Sequence, residues 1–189
     1  AFASISRRSA GGWTLKVRGR PGHSAGVFSS SAGYGAIYEA ARILNAFREQ
    51  LPETALTFNP GLLLGGTQVT PDPATASGTA YGRGNVIAAQ AEVRGDLRYL
   101  SPEQGERARE RMKAIVAQHL PGTSASITFS ETYPPMPPTD AGRRLLAAYS
   151  KASEDAGLGD VREFDPSGRG AGDIQFAAPY VPGLDGLGA

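Results

Sequence analysis

Gly22-His23-Ser24-Ala25-Gly26 sets a serine and one of the chain's two histidines inside a G-x-S-x-G pattern. In a nucleophile elbow this pattern lifts a serine Oγ off the end of a strand, with a helix starting directly behind it. The local sequence denies Ser24 that role. Gly19-Arg20-Pro21 breaks the strand before the motif, and a loose Ser/Gly-rich stretch separates Ser24 from the next helical pattern. The other histidine, His119, falls in the last turn of a different helix, a place the helix dipole alone favours. His23 stays a candidate: between a strand and a glycine-rich loop the backbone presents a side chain outward, and an imidazole there can hydrogen-bond an oxyanion or a carbonyl oxygen.

Asn85 and Arg98 bracket a long strand pattern. An Asn after Gly84 is ordinarily a turn residue, and Arg98 in Asp96-Leu97-Arg98 has an acid at hand to pair with. If both face one cleft, their amide and guanidinium suit a peptide carbonyl and a carboxylate, the guanidinium in bidentate fashion. Gly168, Gly170 and Gly172 in SGRGAGD lack the Lys-Ser/Thr of a P-loop and the spacing of G-x-G-x-x-G. Such glycines suit close approach of main-chain N–H groups to an anionic substrate group. No His and carboxylate set is spaced as metal ligands.

These residues need a scaffold to place them. The N-terminal stretch SISRRSAGGWTLKVRGRP predicts two short strands around a Gly11-Gly12 turn, with Trp13, Leu15 and Val17 facing inward. Ile37, Ala40, Ala41, Leu44 and Phe47 recur at helical spacing until Pro52. A strand broken at Asn59-Pro60-Gly61 follows, then a loop through TPDPATASGTAYGRG, then a long strand with an irregularity at Gly95. Ser101 and Pro102 open a second helix as N-cap and first-turn proline, and SASITFSETY is a last alternating strand. Leaving aside the first short strand, the order β-α-β-β-α-β is the split, ferredoxin-like arrangement. It is an α+β fold: a four-stranded antiparallel sheet with two helices on one face. Residues 1–132 form this unit, the proline-rich 133–142 a stiff linker, and 143–189 a partial α/β segment of a second domain, with a helix, a short strand and the glycine loop.

Lys plus Arg (19) nearly cancels Asp plus Glu (18), which removes the positive field that would draw nucleic acid or an acidic membrane surface. The base-stacking aromatic motif of an RNA-recognition module, which shares this topology, is missing. With no cysteine, thiol catalysis and zinc-thiolate sites fall away; cytoplasm and bacterial periplasm fit equally. No run approaches the roughly 20 apolar residues of a membrane span. Both ends look like cuts through a longer protein.

Taken together and in order, VRGRPGHSAG, GAIYEAARIL, GNVIAAQAEVRGDLR, GRGAGDIQFAA and PGLDGLGA resemble the di-zinc amidohydrolase family of glutamate carboxypeptidase, aminoacylase and succinyl-diaminopimelate desuccinylase. The resemblance implies a lid or dimerisation domain over residues 1–132, with re-entry into the catalytic domain beyond the linker. It implies a homodimer in which His23 stabilises the oxyanion in the partner protomer's site. Asn85 and Arg98 would hold the substrate carbonyl and carboxylate, and the loop Gly168 to Gly172 would line the pocket. The substrate would be a peptide or N-acyl amino acid cleaved at an amide next to a free carboxylate. The complete enzyme would carry two zinc ions on ligands outside these residues, so this piece alone would be inactive and bind none. Gly172 replaces the Ser or Thr that often precedes the aspartate of the glycine loop. The competing expectation is a stand-alone ferredoxin-like module for dimerisation or small-molecule binding, with no chemistry.

Overall fold

The computed structural model describes residues 1–187; the last two residues of PGLDGLGA, Gly188 and Ala189, lie outside the described residues. The central unit is built from β2 (Ala10–Gly19), α1 (Ala36–Gln50), β3 (Pro60–Gly66), β6 (Gln90–Leu97), α2 (Pro102–Val116) and β7 (Thr123–Tyr133). Its four strands lie in the order β3-β6-β2-β7, with every neighbouring pair antiparallel. This is the ferredoxin-like arrangement expected from the sequence. The remaining elements are β1 (Phe2–Ala3), β4 (Gln68–Asp72), β5 (Ser77–Tyr81), α3 (Asp140–Asp155), β8 (Arg162–Glu163) and α4 (Ile174–Ala177).

Alternation puts Trp13, Leu15 and Val17 on one face of β2, in register with Ala91, Val93 and Gly95 of β6 and with Ala125, Ile127 and Phe129 of β7. Both helices cover that face: Ala40, Ile43 and Phe47 from α1 and Ala108, Met112 and Ile115 from α2 join the core. Trp13 meets Phe47 edge to face at 5.8 Å, and its indole N–H donates to the Asp96 carbonyl at 2.9 Å. The ring lies over Gly95, where any Cβ would collide with it. The other sheet face is polar, with Lys16 and Arg18 exposed and Glu92 paired to Arg94 at 2.7 Å.

The helices are fastened to each other by a buried carboxylate. Glu39 of α1 is wholly enclosed; it accepts from Arg42 Nε and Nη2 at 3.0 and 2.8 Å and from the Leu120 amide at 3.0 Å. Arg42 in turn donates to the Ile115 and Gln118 carbonyls at the end of α2. An enclosed charge with both oxygens hydrogen-bonded is costly to strand. His119 turns toward the same carboxylate at 3.6 Å.

Three local expectations are corrected. Gly11-Gly12 is no turn: β2 runs straight through it, because strands on both sides supply partners. Phe2–Ala3 pairs instead with β8, in parallel, 160 residues on in the chain (Phe2 against Arg162). The Thr70 to Gly84 segment is not merely a loop; β4 and β5 form a hairpin over the Leu64 end of the sheet. Around Pro60 to Leu62 it is β3 that shifts register, opposite Gly95, while β6 itself stays regular against β2. Within the proline-rich stretch, Met136 is buried and pairs with Arg7 in both directions at 2.9 Å.

Glu39→Gln is expected to lower unfolding free energy by about 3 kcal/mol, since Arg42 then keeps its charge without a carboxylate. Urea denaturation followed by circular dichroism measures this, with exposed Glu49→Gln as the unaffected reference.

Candidate functional site

The His23 loop begins where β2 ends. His23 forms an isolated antiparallel bridge with Val86, and the Ser24 amide donates to the Asn85 carbonyl at 2.9 Å. The two candidate residues His23 and Asn85 are therefore held together by backbone. His23 caps the 3-10 turn Ser24–Gly26, its Nδ1 accepting from the Ala25 amide at 3.2 Å. A ring nitrogen that accepts carries no proton, so the neutral imidazole holds its N–H on Nε2 and offers it away from the turn. Ser24 has no helix behind it, since α1 starts only at Ala36.

Arg98 stands at the opposite end of β6. Its backbone exchanges hydrogen bonds with Thr57 (2.8 and 2.9 Å), and its Nε donates to Asp96 at 2.9 Å. The terminal nitrogens, the edge that grips a carboxylate, have no partner among the described residues. Tyr99 follows, buried, its phenol donating to Glu131 and receiving from Arg109 at 2.9 Å. Burial first, then the Glu131 bond, pushes its pKa up, so it remains a neutral anchor behind Arg98.

The glycine loop lies on the Arg98 side. Arg8 joins them, donating to Thr57 Oγ1 and to the Ser167 carbonyl, both at 3.1 Å. Of the three glycines, Gly168 donates its amide to Asp165 and Gly172 to Gln175 Oε1 (2.7 Å). Gly170 alone among them shows no internal acceptor for its amide among the described residues, and nothing within 4 Å would meet a Cβ there. Gly168 and Gly172 sit where space is tight: a Cβ would press on the Phe164 ring at 2.8 Å and meet the Arg7 and Asp185 side chains at 3.2 Å. Arg7 pairs with Asp185 at 2.6 Å and donates to the Gly170 carbonyl at 2.6 Å. Sequence reasoning passed over Gln175, which is fully buried and donates to the Arg8 and Pro134 carbonyls while accepting from Gly172. Its one signal is a polar residue on the inward side of the short helix behind the loop.

The structure thus brings His23 to Asn85, and Arg98 to the glycine loop, but keeps the two pairs apart. The whole of β6, eight residues, separates them, about 26 Å at 3.3 Å per residue. Among the described residues no group of three or more His, Cys, Asp or Glu gathers as a metal site; the resemblance puts the zinc ligands outside these residues. Among the described residues no helix is long and apolar enough to cross a membrane.

A four-stranded antiparallel sheet covered by two helices on one face is a ferredoxin-like α+β sandwich. The family model of the M20 peptidase dimerisation domain matches residues 5–124, well over half of the chain, and the chain belongs to that family. No curated protein sequence matches it. Among solved structures, the aminopeptidase PepT of Bacillus cereus is 19% identical with a TM-score of 0.68, covering 96% of this chain and 44% of that one. A tripeptidase of Staphylococcus aureus is 15% identical with a TM-score of 0.69, covering 97% and 44%. A hydantoinase/carbamoylase-family amidase of Burkholderia phymatum is 18% identical with a TM-score of 0.59, covering 96% and 42%. At these identities the likeness is one of fold, and the chain spans less than half the length of each.

Gln175→Ala removes three hydrogen bonds from beneath the glycine loop. Amide exchange at Gly170 to Asp173 is expected to speed up at least ~10-fold while that of β2 and β6 is unchanged, because local opening is separable from global unfolding. Hydrogen exchange by mass spectrometry reads both.

Proposed function

We propose that this chain is the lid and dimerisation part of an M20 metal-dependent hydrolase, followed by the first segment of its second catalytic half. Residues 1–132 form the lid, 133–142 the connection and 143–189 the catalytic segment, with residues 2–8 lying back against the latter. The complete enzyme is a homodimer that hydrolyses an amide bond next to a free carboxylate in a peptide or N-acyl amino acid. Two zinc ions, held by residues outside this chain, activate the attacking water when bound.

The observation that carries this reading is the separation along β6. Within one copy His23 and Asn85 cannot meet a substrate that Arg98 and the glycine loop hold, whereas two copies related by a two-fold can exchange ends. Each site then takes Arg98 and the Gly170 amide from one copy and His23 and Asn85 from the other. Arg98 turns its free guanidinium edge to the substrate carboxylate. Asn85 Nδ2 donates to the carbonyl oxygen, and His23 Nε2–H donates as that oxygen becomes an oxyanion, where a fixed donor lowers the barrier most.

In the complete enzyme His23→Asn keeps an acceptor for the Ala25 amide but shortens the donor. It is expected to cut kcat roughly 10²- to 10³-fold with little change in unfolding midpoint. Arg98→Ala is expected mainly to raise KM. Mixing the two impaired variants at subsaturating substrate tests the exchange of ends: a heterodimer carries one site with all four residues intact, so activity should return toward half per mixed dimer. A mixture no more active than its components overturns the reading, as does an unchanged kcat in His23→Asn.

A further inference from the structure

We infer that the substrate residue carrying the free carboxylate has an aromatic or large apolar side chain, and that Tyr133 selects it. The inference rests on the proposed function above and names the substrate class that it leaves open. It starts from an irregularity at the end of β7. Gly11 pairs with Glu131 but Ala10 with Tyr133, so Thr132 is an extra residue in β7 opposite β2. Its hydroxyl donates to the Ala10 carbonyl at 2.9 Å and closes the bulge. In regular alternation Tyr133 would follow Phe129 and Glu131 onto the helix face. A bulge re-aims the side chain beyond it, and this one turns Tyr133 to the opposite face, with Ala10.

Arg98 stands on that face too. One step past the Gly11 and Leu97 pair, Ala10 falls opposite Arg98 of β6, and residues directly opposite on antiparallel strands share a face. Arg98, Ala10 and Tyr133 thus form one row across three strands, the outer two backbones about 10 Å apart at the usual strand spacing. Between them the row carries only a methyl group. A carboxylate held on the free edge of Arg98 leaves the side chain of its own residue room over Ala10, toward the Tyr133 ring.

The far wall of the row is aromatic and braced. Phe176 of α4 packs on Tyr133 with ring centroids 5.2 Å apart and is itself 52% exposed. The Tyr133 hydroxyl donates to Asp173 at 3.3 Å. Gln175, between Asp173 and Phe176 in the chain, donates to the Arg8 and Pro134 carbonyls and so ties α4 to the ends of β2 and β7. Two rings in this position take up an aromatic or branched apolar side chain by buried area and by edge-to-face contact. Asp173 is exposed and in no ion pair among the described residues, so it opposes a second carboxylate at this end of the row. It does not select a basic side chain with equal force, because an exposed ion pair contributes little.

The test uses the complete enzyme with phenylalanine, alanine, lysine and glutamate as the carboxyl-bearing residue, each as the N-acetyl amino acid and as the glycyl dipeptide. By kcat/KM, phenylalanine is expected to lead in the series that is cleaved and to exceed glutamate at least ~100-fold. Tyr133→Ala should cut the advantage of phenylalanine over alanine at least ~10-fold, mainly through KM, whereas Tyr133→Phe, which keeps the ring, should retain it. Ala10→Leu fills the row and should slow phenylalanine while sparing alanine. Should Ala10→Leu fail to fold, the two Tyr133 variants decide. Hydrolysis of neither series overturns the amide-hydrolase reading itself. Hydrolysis in which glutamate or lysine equals phenylalanine, or a preference that Tyr133→Ala leaves unchanged, keeps that reading and overturns this inference.

Discussion

One strand sets what this chain can and cannot do alone. β6 is central, paired on one side to β2 and on the other to β3, and such a strand can neither shorten nor bend without breaking two ladders at once. Its two ends carry chemically different equipment: an exposed imidazole and amide at Asn85, a guanidinium and a glycine loop at Arg98. Because the ends of an extended strand point in opposite directions, no side-chain rotation joins them. Joining them in one site would take a second molecule, which is what the proposed homodimer supplies.

That constraint works only if the strand is held rigidly. On the helix face Trp13 is clamped between Gly95 below and Phe47 above, its N–H satisfied by the Asp96 carbonyl. β6 and β2 are thus locked in register by packing as well as by the ladder. α1 is fixed against α2 by Glu39, whose burial is tolerable because Arg42 and the Leu120 amide saturate it. A buried ion pair adds little net stability over an apolar substitute, but it permits one alignment of its partners. Here it ties the first half of α1 to the end of α2.

The sheet was legible in the sequence because its inward residues alternate cleanly in β2 and because the helices carry caps and periodic apolar faces. The hairpin expected at Gly11-Gly12 failed for the same physical reason that glycine is ambiguous: it permits a turn but does not compel one, and two neighbouring strands outweighed it. The β4–β5 hairpin escaped notice because Thr70, Thr79 and Tyr81 are diluted by Pro, Gly and Ser, and the pattern of a small two-sided ribbon is weak. His23, Asn85 and Arg98 stood out as residue types, yet their distance apart could not be seen without the strand that separates them. Gln175 and Glu39 left almost no trace, since a buried polar group is recognisable only by the partners the fold brings to it.

The glycine loop shows how the remaining selectivity is arranged. Three of its five amides, those of Gly168, Arg169 and Gly172, are already satisfied within the chain, so the loop is not a general anion cradle of the kind that surrounds a phosphate with several N–H groups. Gln175 and Arg7 instead brace it from behind, each bonded to the loop and to the strand side of the molecule at once. That bracing leaves the Gly170 amide, unencumbered by any side chain, turned outward on a loop that Arg8 ties to the same neighbourhood as Arg98. An N–H donor beside one guanidinium suits a carboxylate and its adjacent carbonyl. In the proposed homodimer this end would take the carboxyl end of a peptide or N-acyl amino acid, and oxyanion stabilisation would fall to the imidazole of the second copy.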